Sequence, residues 1–150
     1  MDCLKQDEPQ ARFGRAVFDA VPLAAFMVDG DVRILEFNAA AEAFLGFAPR
    51  ASLRRRGGEV FHCVHAGPNG CGKSKACQNC LIRTSVKAAI NGKDIRRKFG
   101  QVELRGSRGA VPVSLLVTAS LLPDTQTPQV LLILENVAET VRLCKRHAGA

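Results

Sequence analysis

An α+β domain is what this chain of 150 residues predicts: a five-stranded antiparallel sheet with helices on one face and a cysteine-rich loop inserted between its halves. Three observations carry the prediction. Short apolar runs bounded by glycine turns alternate with stretches of helical spacing. The order is helix, hairpin, helices and then three strands, and that order segregates helices to one face of an antiparallel sheet. Hydrophobic residues make up 47% of the chain, enough for a single core in a single domain.

The elements follow in sequence. Between Arg12 and Val21, Phe13, Val17 and Phe18 stand at helical spacing, and the helix is expected to end before Pro22. Two apolar runs, Ala24–Val28 and Val32–Phe37, flank Asp29-Gly30-Asp31, which reads as a hairpin. Asn38 is a good N-cap for a helix whose Ala40, Phe44 and Leu45 face inward, with Gly46 closing it. Pro49 to Cys80 has no periodicity and is rich in glycine, so it is expected to be a long irregular insertion, and loops of that length tend to be functional or disordered. Leu81, Ile82, Val86, Ala89 and Ile90 then fall on one helical face before Asn91-Gly92. Three strands follow. Ile95–Leu104 has Phe99, Val102 and Leu104 as its expected inward residues. Val111–Leu122 opens on Pro112, where a missing N–H matters least, and Val130–Leu134 is apolar enough to be buried. Glu139 to Arg146 reads as a helix.

Charge and composition exclude some functions. The net charge is +7, but fourteen Lys/Arg and three Asp/Glu lie between Arg50 and Arg108, a local +11 that leaves −4 elsewhere. A basic middle can attract nucleic acid. The bases here have no interleaved aromatics, and a set of bound thiolates in the same stretch would offset the charge, so nucleic-acid binding is not expected. Arg96-Arg97-Lys98 suits an exposed strand edge. There is no Ser/His/Asp set, no carboxylate pair and no phosphate-cradling glycine loop, so no enzyme is expected. No apolar run approaches the ~20 residues of a membrane span. The opening MDCLKQDEPQ is unlike a signal peptide, and a cytoplasmic location without membrane attachment is the expectation.

In a reducing compartment the cysteines need a reason other than disulfides. Cys63, Cys71, Cys77 and Cys80 have spacings of seven, five and two intervening residues. Four thiolates suit Zn²⁺ or an iron–sulfur cluster, both of which take soft sulfur ligands. Only Cys77-x-x-Cys80 has the short spacing of a zinc knuckle. The wider gaps, and the glycines beside Cys71, favour a [4Fe–4S] cluster, with [2Fe–2S] and structural zinc as alternatives. Cys80 opens a helix, whose positive end favours a thiolate. His65 is an alternative ligand or a residue placed to hydrogen-bond a sulfur, and Arg83 and Lys87, along that helix, are candidates to pair with sulfur. Cys3 and Cys144 read as incidental.

The stretch FDAVPLAAFMVDGDVRILEFNAAAEAFLGF resembles the PAS family: a leading helix, a strand, a D-x-x-G-type turn, a strand and an N-x-x-A/F-x-x-x-x-G segment, on Asp29, Gly30, Asn38, Ala39, Phe44 and Gly46. SLLVTASLLPDTQTPQVLLILENVAET looks like the last two PAS strands and the start of an output helix. The segment EVFHCVHAGPNGCGKSKACQNCLIRTSV is similar to a Cys-rich subgroup of bacterial PAS sensors, through Cys63, His65, Ala66, Gly70, Cys71, Gly72, Ser74, Cys77, Cys80, Ile82 and Arg83. The resemblance implies a sensor domain over residues 13–138 with the insertion at 57–80, a 1–12 extension and an output helix or tail at 139–150. It implies a ligand cavity between sheet and helices, near Phe26, Phe44, Ile95 and Leu115. It further implies a homodimer, and an effector such as a histidine kinase or transcription regulator in the same chain or another, since no kinase core is present. The expected function is relay of redox or gas state through the four-cysteine cluster. The alternative is a ligand-binding or dimerisation module stapled by zinc.

Overall fold

The computed structural model describes residues 3–45, 48–68, 70–138, 144–146 and 148, with side chains described from residue 12 onward. Five antiparallel strands form one sheet in the order β2-β1-β5-β4-β3. They are β1 (Ala24–Val28), β2 (Ile34–Phe37), β3 (Ile95–Gly106), β4 (Gly109–Leu121) and β5 (Val130–Asn136). Helix α1 (Cys3–Ala20) precedes them, α2 (Glu42–Leu45) and α3 (Gly57–Val60) are single turns, and α4 (Leu81–Ile90) crosses β3, β4 and β5.

Sequence periodicity explains the core. In α4, Ile82, Ser85, Val86 and Ala89 are buried, the i, i+3, i+4, i+7 stripe of an amphipathic helix. They pack on Leu115, Val117 and Ala119 of β4 and on Val130, Leu132 and Leu134 of β5, each set alternating along its strand. The Ser85 hydroxyl donates to the Leu81 carbonyl at 2.6 Å, so its burial leaves no polar group unpaired. Gly92, at φ +89°, caps the helix by donating its N–H to the Ala89 carbonyl. Phe26 in β1 pairs with Leu132 and meets Phe44 and Phe61 edge-on, with ring centroids 6.5 and 5.4 Å away.

Asn38 ties the first helix to the sheet. It is fully buried. Its Oδ1 accepts the N–H groups of Ala25 and Ala41, both at 3.0 Å, and its Nδ2 donates to the carbonyls of Phe18, Val21 and Leu23. It is thus the N-cap that the sequence suggested, and also the anchor of the α1 C-terminus.

Several expectations need correction. α1 starts at Cys3 rather than at Arg12, where the helical spacing was expected to begin. Phe13 and Val17 do not enter the core: they are 72% and 50% exposed, and α1 is held by Arg15, which pairs with Asp19 and Glu36, and by Asn38. After Asn38 the chain forms a 3-10 turn, Ala39–Ala41, before α2. The tighter turn advances each residue further round the axis, so Ala41 rather than Ala40 is the buried alanine. Phe99 points outward, 55% exposed, because a register shift lies between Ile95 and Lys98, where Arg97 takes φ 48°. Gly100, Val102 and Leu104 form the inward series instead, and Gly100 makes room for Leu81. Gly46 and most of Glu139–Arg146 lie outside the described residues.

The stretch from Pro49 to Cys80 is ordered rather than structureless. It holds 3-10 turns at Pro49–Ser52 and Lys75–Asn79 as well as α3. Arg33 bridges to Arg56, which covers the β2 edge. Cys63 bridges to Leu104, with Val64 N–H donating to Glu103 and Arg105 N–H to His62, which covers part of the β3 edge. Backbone polar groups that had no partner in local periodicity find one at the two sheet edges.

Candidate functional site

Between α4, the insertion and the inner face of the sheet lies a cavity of about 190 Å³. Cys63, Cys71, Cys77 and Cys80 all line it, as do His65, Arg83, Phe44 and Leu115. Phe26 and Ile95 do not: Phe26 is fully buried in the core and Ile95 is half-buried against it.

Each cysteine is placed by a different local device. Cys63 sits on its bridge to Leu104 at the β3 edge. Cys71 lies between Gly70 and Gly72, at φ +87° and +89°, a backbone path that side chains other than glycine rarely follow. Cys77 is buried inside the 3-10 turn Lys75–Asn79, whose start is capped by the Ser74 hydroxyl accepting from Ala76 N–H. Cys80 is the N-cap residue of α4 and packs against the core cluster. All four are free thiols, and Cys144 is exposed elsewhere.

The four sulfurs share a cavity but do not meet at one point. Among the described residues, no three His, Cys, Asp or Glu side chains are gathered closely enough to hold a metal ion. This departs from the convergent thiolate set that the spacing predicts. Cys71 Sγ accepts from Arg83 Nη2 at 3.2 Å, Cys77 is buried in its 3-10 turn, and Cys80 packs against the core cluster. His65 is exposed while lining the cavity, and Lys87 is exposed on α4.

The surroundings nevertheless suit a negatively charged, sulfur-ligated group. A Cβ built on Gly58 would lie 2.8 Å from Cys71 Sγ and 3.4 Å from Cys63 Cβ, so a bare glycine forms the floor beneath two of the thiols. Arg83 Nε is buried without a hydrogen-bond partner, an unmet donor at the cavity wall. Burial pushes the Cys63 thiol up, and the neighbouring Cys80 and Cys71 add to the rise, against an opposing pull from the backbone at His65 and Ala66.

Arg83 also reaches beyond the cavity. Its Nη1 donates to Asp31 Oδ1 at 2.9 Å, and Arg56 Nε donates to Asp31 Oδ2 at 2.6 Å. Burial pulls the Asp31 carboxyl up, but the two arginines outweigh it and hold it below the usual aspartate range. Burial likewise lowers Arg83, and its contacts to Cys71 and Asp31 more than restore it. Sequence reasoning identified Arg83 but missed Asp31 and Arg56. Nothing in the spacing of residues 31, 56 and 83 marks them as neighbours.

A five-stranded antiparallel sheet in this order, with helices and a cavity on its inner face, is the PAS fold. Residues 15–79 match the PAS domain family model. The fold is similar to that of the PAS domain of Bordetella pertussis BvgS, at 16% identity and TM-score 0.59, covering 95% of this chain and 96% of that one. It is also similar to the PAS domain of nitrogen regulation protein NR(II) from Vibrio parahaemolyticus, at 17% identity and TM-score 0.56, covering 82% and 96%. A third likeness is to a domain of a sensory box sensor histidine kinase/response regulator from Geobacter sulfurreducens, at 20% identity and TM-score 0.53, covering 85% and 94%. No curated protein is a significant match. Among the described residues no helix is long and apolar enough to cross a membrane.

Proposed function

We propose that this PAS domain is a sensory module in which an iron–sulfur cluster, held by Cys63, Cys71, Cys77 and Cys80, registers redox or gas state. The observation that carries the reading is that four free thiols from four separate local structures line one cavity, beside an arginine with an unmet buried donor. When bound, such a cluster supplies a one-electron couple and sensitivity to oxidants. The chain's own part is to hold the sulfurs, shield them between α4 and the sheet, and supply Arg83 as a compensating charge. A cluster held by these four residues would need their sulfurs to close up, and the glycines on either side of Cys71 would give that residue the backbone freedom to do so. Structural zinc is the second reading, favoured by the Cys77-x-x-Cys80 spacing.

Anaerobic purification followed by visible spectroscopy and elemental analysis decides between them. A brown protein with about four iron and four sulfide per chain is expected for a [4Fe–4S] cluster. A colourless protein carrying one zinc selects the zinc reading, and a metal-free protein after anaerobic reconstitution rejects both.

The effector in this reading is a histidine kinase or transcription regulator, consistent with the histidine kinase named for one similar structure. The module acts as a homodimer in which a second copy covers Phe13 and Val17 of α1, the most exposed large apolar side chains among the described residues of that helix. Sedimentation velocity is expected to show a dimer for the native chain and a monomer for Phe13→Glu/Val17→Glu. A native monomer at tens of micromolar, a range that stable interfaces exceed comfortably, would remove this part of the reading.

A further inference from the structure

The cysteine cavity and the β1–β2 turn meet in a single guanidinium. We infer that Arg83 is a positioning residue that couples the state of the cysteine loop to the β1–β2 hairpin. The inference rests on the cavity being the sensing site, but not on which metal or cluster it holds.

The geometry is a shared fork. Arg83 Nη1 donates to Asp31 Oδ1 at 2.9 Å, and Nη2 faces both Cys71 Sγ at 3.2 Å and the Asp31 carbonyl at 3.3 Å. A planar guanidinium cannot follow a sulfur that moves without changing its hold on the carboxylate. The cysteine loop also passes close to the same group, with room only for a glycine: a Cβ on Gly72 would lie 2.6 Å from Arg83 Cζ. Nε makes no compensating bond, so the position of the guanidinium is set by Cys71 on one side and Asp31 on the other.

The receiving element is poised to respond. Asp29 Oδ1 accepts the N–H groups of Asp31 and Arg33, and Val32 between them takes φ 61°, a costly conformation for a β-branched residue. Such a turn persists only while its surroundings hold it. Arg56 binds the second Asp31 oxygen independently of Cys71, so loss of the Arg83 contact loosens the turn without leaving the carboxylate unpaired. Val28, at the end of β1, pairs with Val130, the first residue of β5, and β5 runs toward the end of the chain. A change at Cys71 therefore has a continuous route: sulfur, Arg83, Asp31, turn, β1, β5.

The test is a mutant cycle read by hydrogen exchange at the Asp31 and Arg33 amides, in reduced, metal-free protein. Cys71→Ala is expected to change exchange there by about threefold or more, the scale of one hydrogen bond. In an Arg83→Gln background, Cys71→Ala should have no further effect. Arg83→Lys keeps the charge but not the fork, and it should behave as Arg83→Gln does, which a merely electrostatic or structural role would not require. Asp31→Asn, which leaves α4 untouched, should also abolish the response and serves if the Arg83 variants fail to fold. A Cys71→Ala effect of undiminished size in either background, or none in the native one, overturns the inference. Iron and sulfide content measured in parallel separates the two proposals. A native chain that takes up no metal ends the cluster reading, while the exchange cycle still decides the coupling.

Discussion

Asn38→Asp is expected to destabilise the domain by about 3–5 kcal/mol at neutral pH, although it exchanges only an amide for a carboxyl of the same shape. The native Nδ2 faces the carbonyls of Phe18, Val21 and Leu23 at 2.9, 3.3 and 2.9 Å, in a site with no solvent exposure. A carboxylate there turns a donor into a negative acceptor opposite three acceptors. If it protonates instead, its single O–H serves one carbonyl and leaves the others unmet, each at about 1–3 kcal/mol. Chemical denaturation gives the number, and Asn38→Ala is the comparison. Asp should be worse than Ala, because Ala leaves orphaned groups but adds no repulsion. Tolerance of Asp to within about 1 kcal/mol would contradict the role of Asn38 as a buried hub joining α1, β1 and the 3-10 turn.

Gly58→Ala is expected to leave folding intact and to weaken metal or cluster binding by about 10- to 100-fold, the scale seen when groups supporting metal ligands are altered. Gly58 lies in the single turn α3, at a backbone position that is not left-handed and that alanine adopts without strain, so the fold should persist with only a small change in thermal midpoint. The added methyl, however, falls 2.8 Å from Cys71 Sγ and 3.1 Å from its Cβ, closer than non-bonded atoms approach. Cys71 must move, and it is the sulfur that Arg83 holds. Iron and sulfide content with competitive chelation reads the binding, and the thermal midpoint reads the fold. Unchanged binding would show that Cys71 and Cys63 need not share the space above Gly58 when the site is loaded.

The two variants divide along the line between local and long-range information. The capping role of Asn38 was legible, because a cap acts on a backbone group three residues away. Its grip on the carbonyls of Phe18, Val21 and Leu23, at and just beyond the end of α1, was not, because those partners lie 15 to 20 residues earlier. The β1–β2 hairpin, the α4 stripe and the three later strands were readable from period and turn residues alone. Phe99 was misplaced because the register shift beside it rests on one residue, Arg97, in a conformation that its own sequence does not announce. The insertion looked structureless because its order comes from pairing with the edges of β2 and β3, which no local pattern records.

Side-chain period, turn chemistry and residue spacing are properties of the chain alone, and they were enough to specify the fold class, the five strands and the four cysteines that came to line one cavity. Three-dimensional packing was needed to establish that the sulfurs share this cavity without converging, that Gly58 is its floor, and that Arg83 reaches from Cys71 to Asp31. Those facts depend on distances between segments up to 52 residues apart, which the packing of α4 against the sheet sets and no local propensity encodes.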